Sequence, residues 1–186
     1  MKYQCQVEKF VPQTEQEQSD WEIIMELMRQ HPATILRREN KTAHFTSSGL
    51  VLNRERNKVL FVHHNIYKTW SWTGGHADGE EDLLKVAVKE AMEETGLTHV
   101  EPLDGKMVSL DILPVFGHFK KGRYVSAHLH LNASFLLIAD EKDAVRACEG
   151  ENSGVQWFGF DELESCSREP YLIAVHRKIL GRVPVL

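Results

Sequence analysis

The chain has 186 residues, of which 42% are hydrophobic, 26% charged and 9% aromatic, a profile that excludes disordered, collagenous and coiled-coil chains and fits one globular domain. A chain of this length buries roughly 70% of the surface it exposes when unfolded, so folding calls for neither disulfides nor a structural metal. With 27 acidic against 22 basic residues, a formal charge of -5 and no basic block longer than Arg37-Arg38 or Lys120-Lys121, a nucleic-acid polymer is not an expected partner.

After a short lead, Gln13 to Arg29 reads as a helix, with Trp21, Ile24, Met25 and Met28 at three-and-four spacing and His31-Pro32 ending it. Its apolar stripe fits covering a site, mediating a homodimer or packing on its own domain. From Thr42 the period changes to two through Phe45, Gly49, Leu50, Val51 and Leu52, and a turn at Arg54-Glu55-Arg56-Asn57 leads to Val59-Leu60-Phe61-Val62, so the pair reads as a hairpin. A helical run from Glu80 to Thr95 is stopped by Gly96. Two strands follow, Met107 to Phe119 and Tyr124 to Ala139, joined by Lys120-Lys121-Gly122. Val155 to Phe158 is a short strand, Asp161-Glu162-Leu163 a turn or small helix, and Tyr171 to Leu180 a closing helix. No repeat or linker divides the chain, so a single α+β domain with a mixed sheet is expected over 1–186. Within it, 1–40 are expected to form an N-terminal helical extension, 41–165 the core and 166–186 a C-terminal helix.

Cys5, Cys148 and Cys166 are far apart and lack C-x-x-C spacing, which fits idle thiols in a reducing compartment. The N-terminus has no apolar run, and no stretch approaches the ~18 apolar residues of a membrane span. A cytoplasmic location without membrane attachment is expected.

The chemistry concentrates in Gly74-Gly75-His76-Ala77-Asp78-Gly79-Glu80-Glu81, running on to Glu90, Glu93, Glu94, Gly96 and Leu97. Asp78 fits an N-cap with Glu81 three residues on, as in a capping box, and the acidic start suits the helix dipole. At about 100° per residue, Leu83, Leu84, Ala87, Val88 and Ala91 form one apolar stripe that packs on the sheet. Glu90, Glu93 and Glu94 cluster on one edge, and Glu94 projects about 20° from Leu83, towards the core side. A half-buried carboxylate without a partner is costly, so a positive group is expected beside it. Lys85 and Lys89 can supply that charge, in which case the acids are a solvated, salt-bridged face. Against that reading stand the inward glutamate and the paired glycines, which let backbone approach a ligand and offer a carbonyl as a hard oxygen donor. Carboxylate and carbonyl oxygens select Mg²⁺ or Mn²⁺ over zinc.

This segment resembles the Nudix box, whose pattern runs glycine, five residues, glutamate, seven residues, Arg-Glu, an aliphatic, any residue, Glu-Glu, any residue, glycine, aliphatic. Gly75, Glu81, Glu90, Glu93, Glu94, Gly96 and Leu97 stand at its positions. Trp70 and Trp72 just ahead, and Trp157-Phe158 followed by Asp161-Glu162-Leu163, extend the likeness over roughly Ala43 to Leu163. Three positions depart from the pattern: Lys89 replaces the arginine, Ala91 the larger aliphatic, and Thr73 the proline common before the glycines. Lysine is a mobile single charge without the planar fork of arginine, and orients Glu90 or Glu81 less firmly.

The resemblance implies a mixed sheet sandwiched between helices, with the N-terminal helix as an addition. It also implies a Mg²⁺- or Mn²⁺-dependent hydrolase that cleaves the pyrophosphate bond of a nucleoside diphosphate linked to another moiety. It implies Glu90, Glu93 and Glu94 as metal ligands, Glu90 also as proton acceptor, Glu81 as support, and the Gly74 carbonyl as a further ligand. Many members add a glutamate from a loop outside the box; Glu149 and Glu151 are candidates, with Glu151 preferred. Candidate phosphate contacts are Arg54 or Arg56 in the first turn and Lys120, Lys121 or Arg123 in the second, which fit solvated turns better. Trp70 and Trp72 are candidates for stacking a base, or core aromatics. His76 beside the glycines is a candidate for phosphate contact or acid-base work.

Histidines offer a rival site. His128, His130 and Asn132 share one strand face and His63-His64 end another strand, so a zinc site competes with a plain polar face. Two other functions compete with hydrolysis. A catalytically weak ligand-sensing module would follow from loss of rate through Lys89. An isomerase of prenyl diphosphates would call for a cysteine in the sheet, and the three cysteines lie outside the predicted core strands.

Overall fold

The structure, a computed structural model, describes residues 1–65, 68–120, 122–167 and 169–186. Two helices, α1 (Lys2–Glu8) and α2 (Glu15–Gln30), precede strands β1 (Ala43–Leu52), β2 (Lys58–His64), β3 (Thr69–Ser71) and β4 (Thr73–His76). Helix α3 (Leu83–Thr95) leads to β5 (Glu101–Val115), β6 (His118–Lys120), β7 (Arg123–Val125), β8 (His128–Ile138) and β9 (Asn152–Gly159). A 3₁₀ turn, Phe160–Glu162, α4 (Leu163–Cys166) and α5 (Pro170–Leu180) close the chain.

The main sheet runs β3-β2-β1-β8-β5, with β4 added to β1 and β9 to β2. It is mixed, because β1 pairs parallel with β8 while β1–β2, β1–β4, β2–β9 and β5–β8 are antiparallel. Every residue of β1 is buried, as a central strand covered on both faces requires. Alternation then sorts its side chains. Ala43, Phe45 and Val51 join the core that holds Leu83, Ala87 and Ala91 of α3, whereas Leu50 and Leu52 join the core that holds Val175 and Ile179 of α5. The sheet is therefore sandwiched between α3 and α5. Gly49 permits the close approach, since a Cβ there would lie 2.5 Å from Leu137 Cδ1 and 3.5 Å from the Ala87 carbonyl.

Helix α2 is capped by Thr14, whose hydroxyl accepts from the Glu17 amide. Its stripe closes on its own domain, with Ile24 and Met28 buried in the α3-side core and the Trp21 indole donating to the Val7 carbonyl at 3.0 Å. An ionic cluster ties it to the chain's end. Glu17 is fully buried and accepts from Arg182 Nη1 at 2.7 Å and Nη2 at 2.9 Å, while Lys178 Nζ reaches Glu17 at 3.2 Å and Asp111 at 2.5 Å. Burial alone would raise the Glu17 carboxyl, but Arg182, the Gln13 amide and Lys178 together hold it at about 2.

The observed elements differ from those expected, beginning with the strand from Met107, which ends at Val115 and is followed by a separate β6. Lys2–Glu8 is helical, where the sequence suggests no more than a short lead. The expected strand from Tyr124 is broken between Val125 and His128. Val86 is buried in addition to the predicted α3 stripe, in which Leu84 and Val88 are only half-buried. The helix begins at Leu83 with Asp82, not Asp78, as N-cap. Asp78 sits at φ 48° and Gly79 at φ 94°, left-handed conformations that turn the chain before the helix, and the Asp78 carboxylate is taken by Arg38. Among the described residues, no helix is long and apolar enough to cross a membrane.

Candidate active site

Strand β4 carries the glycine pair into the sheet, with Ser48 opposite Gly74 and Ser47 opposite Gly75. The two glycines face opposite sides. A Cβ on Gly74 would meet Ser48 Oγ at 2.5 Å, whereas one on Gly75 would stand 2.5 Å from Glu90 Oε2. A side chain at Gly74 would run into the backbone of Ser47 and Ser48, and one at Gly75 would displace the Glu90 carboxylate of α3. That helix is held down by the Ser47 hydroxyl, which donates to the Leu83 carbonyl at 2.6 Å.

Glu94 is 9% exposed, as its helical angle predicts. The expected positive partner is absent, because among the described residues no cation pairs with it. It accepts a long bond from the Gly74 amide at 3.4 Å. Burial pushes its carboxyl up to about 8; the Gly74 amide opposes the rise, and the charges of Glu90, Glu151 and Glu93 add to it. Lys89 turns instead to the other two acids, with Nζ 3.1 Å from Glu90 Oε1 and 2.7 Å from Glu93 Oε2. Burial raises the Glu90 carboxyl, and Lys89 opposes that rise.

A family model described as the NUDIX domain matches residues 43–182, more than half of the chain. The chain belongs to the NUDIX family. Over 105 residues it is 27% identical to a protein named "Probable DHNTP pyrophosphohydrolase" from Lactococcus lactis subsp. cremoris, a match that covers 56% of this chain and only 60% of that relative. Among solved structures, a NUDIX-family hydrolase from Clostridium perfringens is 21% identical with a TM-score of 0.51, covering 76% of this chain and 98% of the other. The dihydroneopterin triphosphate pyrophosphohydrolase of E. coli is 12% identical with a TM-score of 0.55, covering 75% and 93%. The NUDIX domain of Shewanella oneidensis NrtR, solved with ADP ribose, is 13% identical with a TM-score of 0.55, covering 84% and 98%. At these identities the structural likeness is one of fold.

The structure brings together Gly74, Gly75, Lys89, Glu90, Glu93 and Glu94 of the NUDIX motif. Glu151 stands close enough for its charge to raise Glu90 and Glu94, while its backbone is fixed by bonds to Cys148 and Asn65. Glu149 is exposed in the same loop. The loop is held against α3 by Asn152, whose amide donates to the Glu94 carbonyl at 2.8 Å, a positioning residue that no sequence motif announced. Glu81 is exposed and accepts from the Lys2 amide at 3.3 Å, so it contacts α1.

Arg54 is not brought to the site. It lies beyond the far end of β1 and pairs with Asp140 at 3.5 Å, because the hairpin turn is carried away from the glycines by the length of the strand. Arg56 in the same turn donates to the Pro184 carbonyl. Lys121 lies outside the described residues, and Arg123 is exposed on the β6–β7 hairpin. Trp70 packs edge-on against Phe158 at 5.1 Å and Trp72 against His176 at 4.6 Å, so both serve the α5-side core while remaining half-buried.

His76 follows Gly75 and therefore faces away from α3. There it meets His44 at a ring separation of 5.1 Å and His130 at 4.9 Å. His44 was not singled out from the sequence, since nothing near it in β1 marks it. Burial lowers both His44 and His130, the latter to about 2 with help from neighbouring rings. Beyond the histidines the same face continues as a hydrogen-bonded ladder, in which the Thr46 and Ser48 hydroxyls each donate to Asn132 Oδ1 at 2.9 Å.

Proposed function

We propose that this NUDIX protein is a Mg²⁺- or Mn²⁺-dependent hydrolase that cleaves the pyrophosphate bond of a nucleoside diphosphate linked to another moiety. The observation that carries the reading is Glu94, a buried carboxylate without a cation partner among the described residues, close enough to Glu90 for the two charges to interact. A buried ionised carboxylate demands a counter-charge, and an all-oxygen set of carboxylates and a carbonyl fits a hard divalent cation. Glu90, Glu93, Glu94 and the Gly74 carbonyl would hold it, with Glu151 approaching from its loop.

When bound, such an ion supplies neutralisation of the polyanionic pyrophosphate and Lewis acidity towards water. The protein's own part is then positional and basic. Glu90, its charge supported by Lys89 at 3.1 Å, accepts the proton of the attacking water. Lys89 also fixes Glu93, limiting the mutual repulsion of acids at this spacing. Glu81 supports the loop ahead of α3. His76 and the half-buried Trp70 and Trp72 lie on the sheet face opposite the carboxylates.

A panel of substrates tests this reading. It should include dihydroneopterin triphosphate, for which the L. lactis relative is named, and ADP-ribose, the ligand of the S. oneidensis domain. Turnover that needs Mg²⁺ or Mn²⁺, stops with EDTA and is lost in Glu93→Gln supports the hydrolase. Lys89 favours a second reading, a ligand-sensing module of low rate, because it already occupies two of the three motif carboxylates. Binding of a panel member without turnover would favour that module.

A further inference from the structure

The geometry points to a second cation site, made by the imidazoles of His44, His76 and His130 with His128 as fourth ligand, that takes a borderline transition metal of the Zn²⁺ class. It is separate from the carboxylate site, because Gly75 faces Glu90 and the next residue, His76, faces the opposite side of the sheet.

Three strands deliver the ligands. The parallel pairing of β1 with β8 sets His44 directly beside His130, and the antiparallel pairing of β1 with β4 sets Thr46 opposite His76. Ligand atoms of His44, His76 and His130 all lie within 4.8 Å of one another. Nitrogens bound tetrahedrally to zinc at about 2 Å are roughly 3.4 Å apart, a contraction within reach of side-chain rotation. His128 adjoins them, its Nε2 3.2 Å from His130 Nε2 and its ring 5.0 Å from that of His44.

The outer hydrogen bonds point the same way. A carbonyl only accepts, so the His44 Nδ1–H donates to Asn40 O at 2.9 Å, which leaves Nε2 as a bare lone pair. That Nε2 is buried in a residue 3% exposed and has no hydrogen-bond partner among the described residues, a costly arrangement unless something binds it. His128 repeats the pattern, with Nδ1 on the Ser126 carbonyl at 2.8 Å and Nε2 turned inward. A ring N–H given to a backbone carbonyl is how metal-ligating histidines are oriented. Arg38, the nearby cation, is neutralised by its fork onto Asp78. Imidazole donors suit Zn²⁺, Co²⁺ or Ni²⁺ and discriminate against Mg²⁺. With four imidazoles the site is closed, and it would staple β4, hence the glycine pair, to β1 and β8.

The full chain, stripped of metal, is to be titrated with Co²⁺ and then Zn²⁺ in excess Mg²⁺, with visible absorption and thermal unfolding as readouts. The expected result is a tetrahedral Co²⁺ spectrum saturating at one equivalent, displaced by Zn²⁺, and a rise in Tm with Zn²⁺. His76→Gln and His130→Gln should lose the spectrum and weaken Zn²⁺ binding by at least ~10-fold, while Glu94→Gln keeps both. His76 is only half-buried, so its variant remains informative even where replacement of His130 prevents folding. No stoichiometric spectrum in the wild type, or one that survives His76→Gln and disappears in Glu94→Gln, overturns the proposal.

Discussion

Gly75 and Glu90 face each other across the gap between β4 and α3, so closely that a methyl group on the glycine would stand 2.5 Å from Glu90 Oε2. The glycine is thus a spacer for the carboxylate that we assign as proton acceptor. Gly75→Ala should displace Glu90 and lower kcat by about 10²-fold, the scale of an ångström-sized misplacement. Far-UV circular dichroism should be unchanged, since the atoms nearest the methyl group are the far end of the Glu90 side chain and not backbone. Wild-type kcat in this variant would refute the spacer role.

Glu94 makes the metal-free protein less stable as pH rises. Its folded-state value of about 8 lies above the ordinary 4.5, so the folded chain holds a proton that the unfolded chain releases. The stabilisation is full at pH below 4.5 and is lost as pH rises through about 8. Glu94→Gln removes this dependence and should stabilise the metal-free fold at pH 9 by ~1 to 3 kcal/mol in urea titrations. Mg²⁺ should reverse the wild-type loss and leave Glu94→Gln unaffected; equal slopes of stability against pH in the two proteins would count against it.

The Glu90 carboxyl is raised by burial, and Lys89 opposes that rise. With the ammonium 3.1 Å away removed in Lys89→Met, the Glu90 carboxyl, already raised by burial, rises further. The acidic limb of the kcat/KM profile should therefore move to higher pH, and Lys89→Arg should move it back. If Lys89→Arg also exceeds the wild type in kcat, the lysine limits the rate; an unmoved acidic limb in Lys89→Met would separate Glu90 from proton transfer.

The inward turn of Glu94 and the α3 stripe were legible from helical periodicity alone, because an isolated helix already fixes which residues share a face. The strand through Gly74-Gly75 was not, since glycine is a poor strand former; it exists because β1 offers Ser47 and Ser48 as backbone partners. His44 escaped notice for a related reason. Its neighbour His130 reaches it through parallel pairing between strands far apart in the chain, and no local pattern encodes that register. Asp78 misled as a cap because its composition fits the role, while the tertiary ion pair with Arg38 holds it in a turn.

A buried ionic cluster anchors α2 to the end of the chain. Glu17 and Asp111 are both fully buried, and Arg182 and Lys178 are their cations. Arg182→Met leaves a buried carboxylate without its fork and should cost about 3 to 5 kcal/mol, read as a lower urea midpoint. Glu17, held at about 2 in the folded chain against 4.5 ordinarily, contributes stability above pH 4.5 that disappears as pH falls through 2. Arg182→Met should remove most of this acid-side dependence. The combined variant Glu17→Leu with Arg182→Met should recover much of the loss, because the penalty arises from the unpaired charge rather than from the missing contact. A double variant as unstable as Arg182→Met would show instead that the packing of the Arg182 stem holds α2 in place.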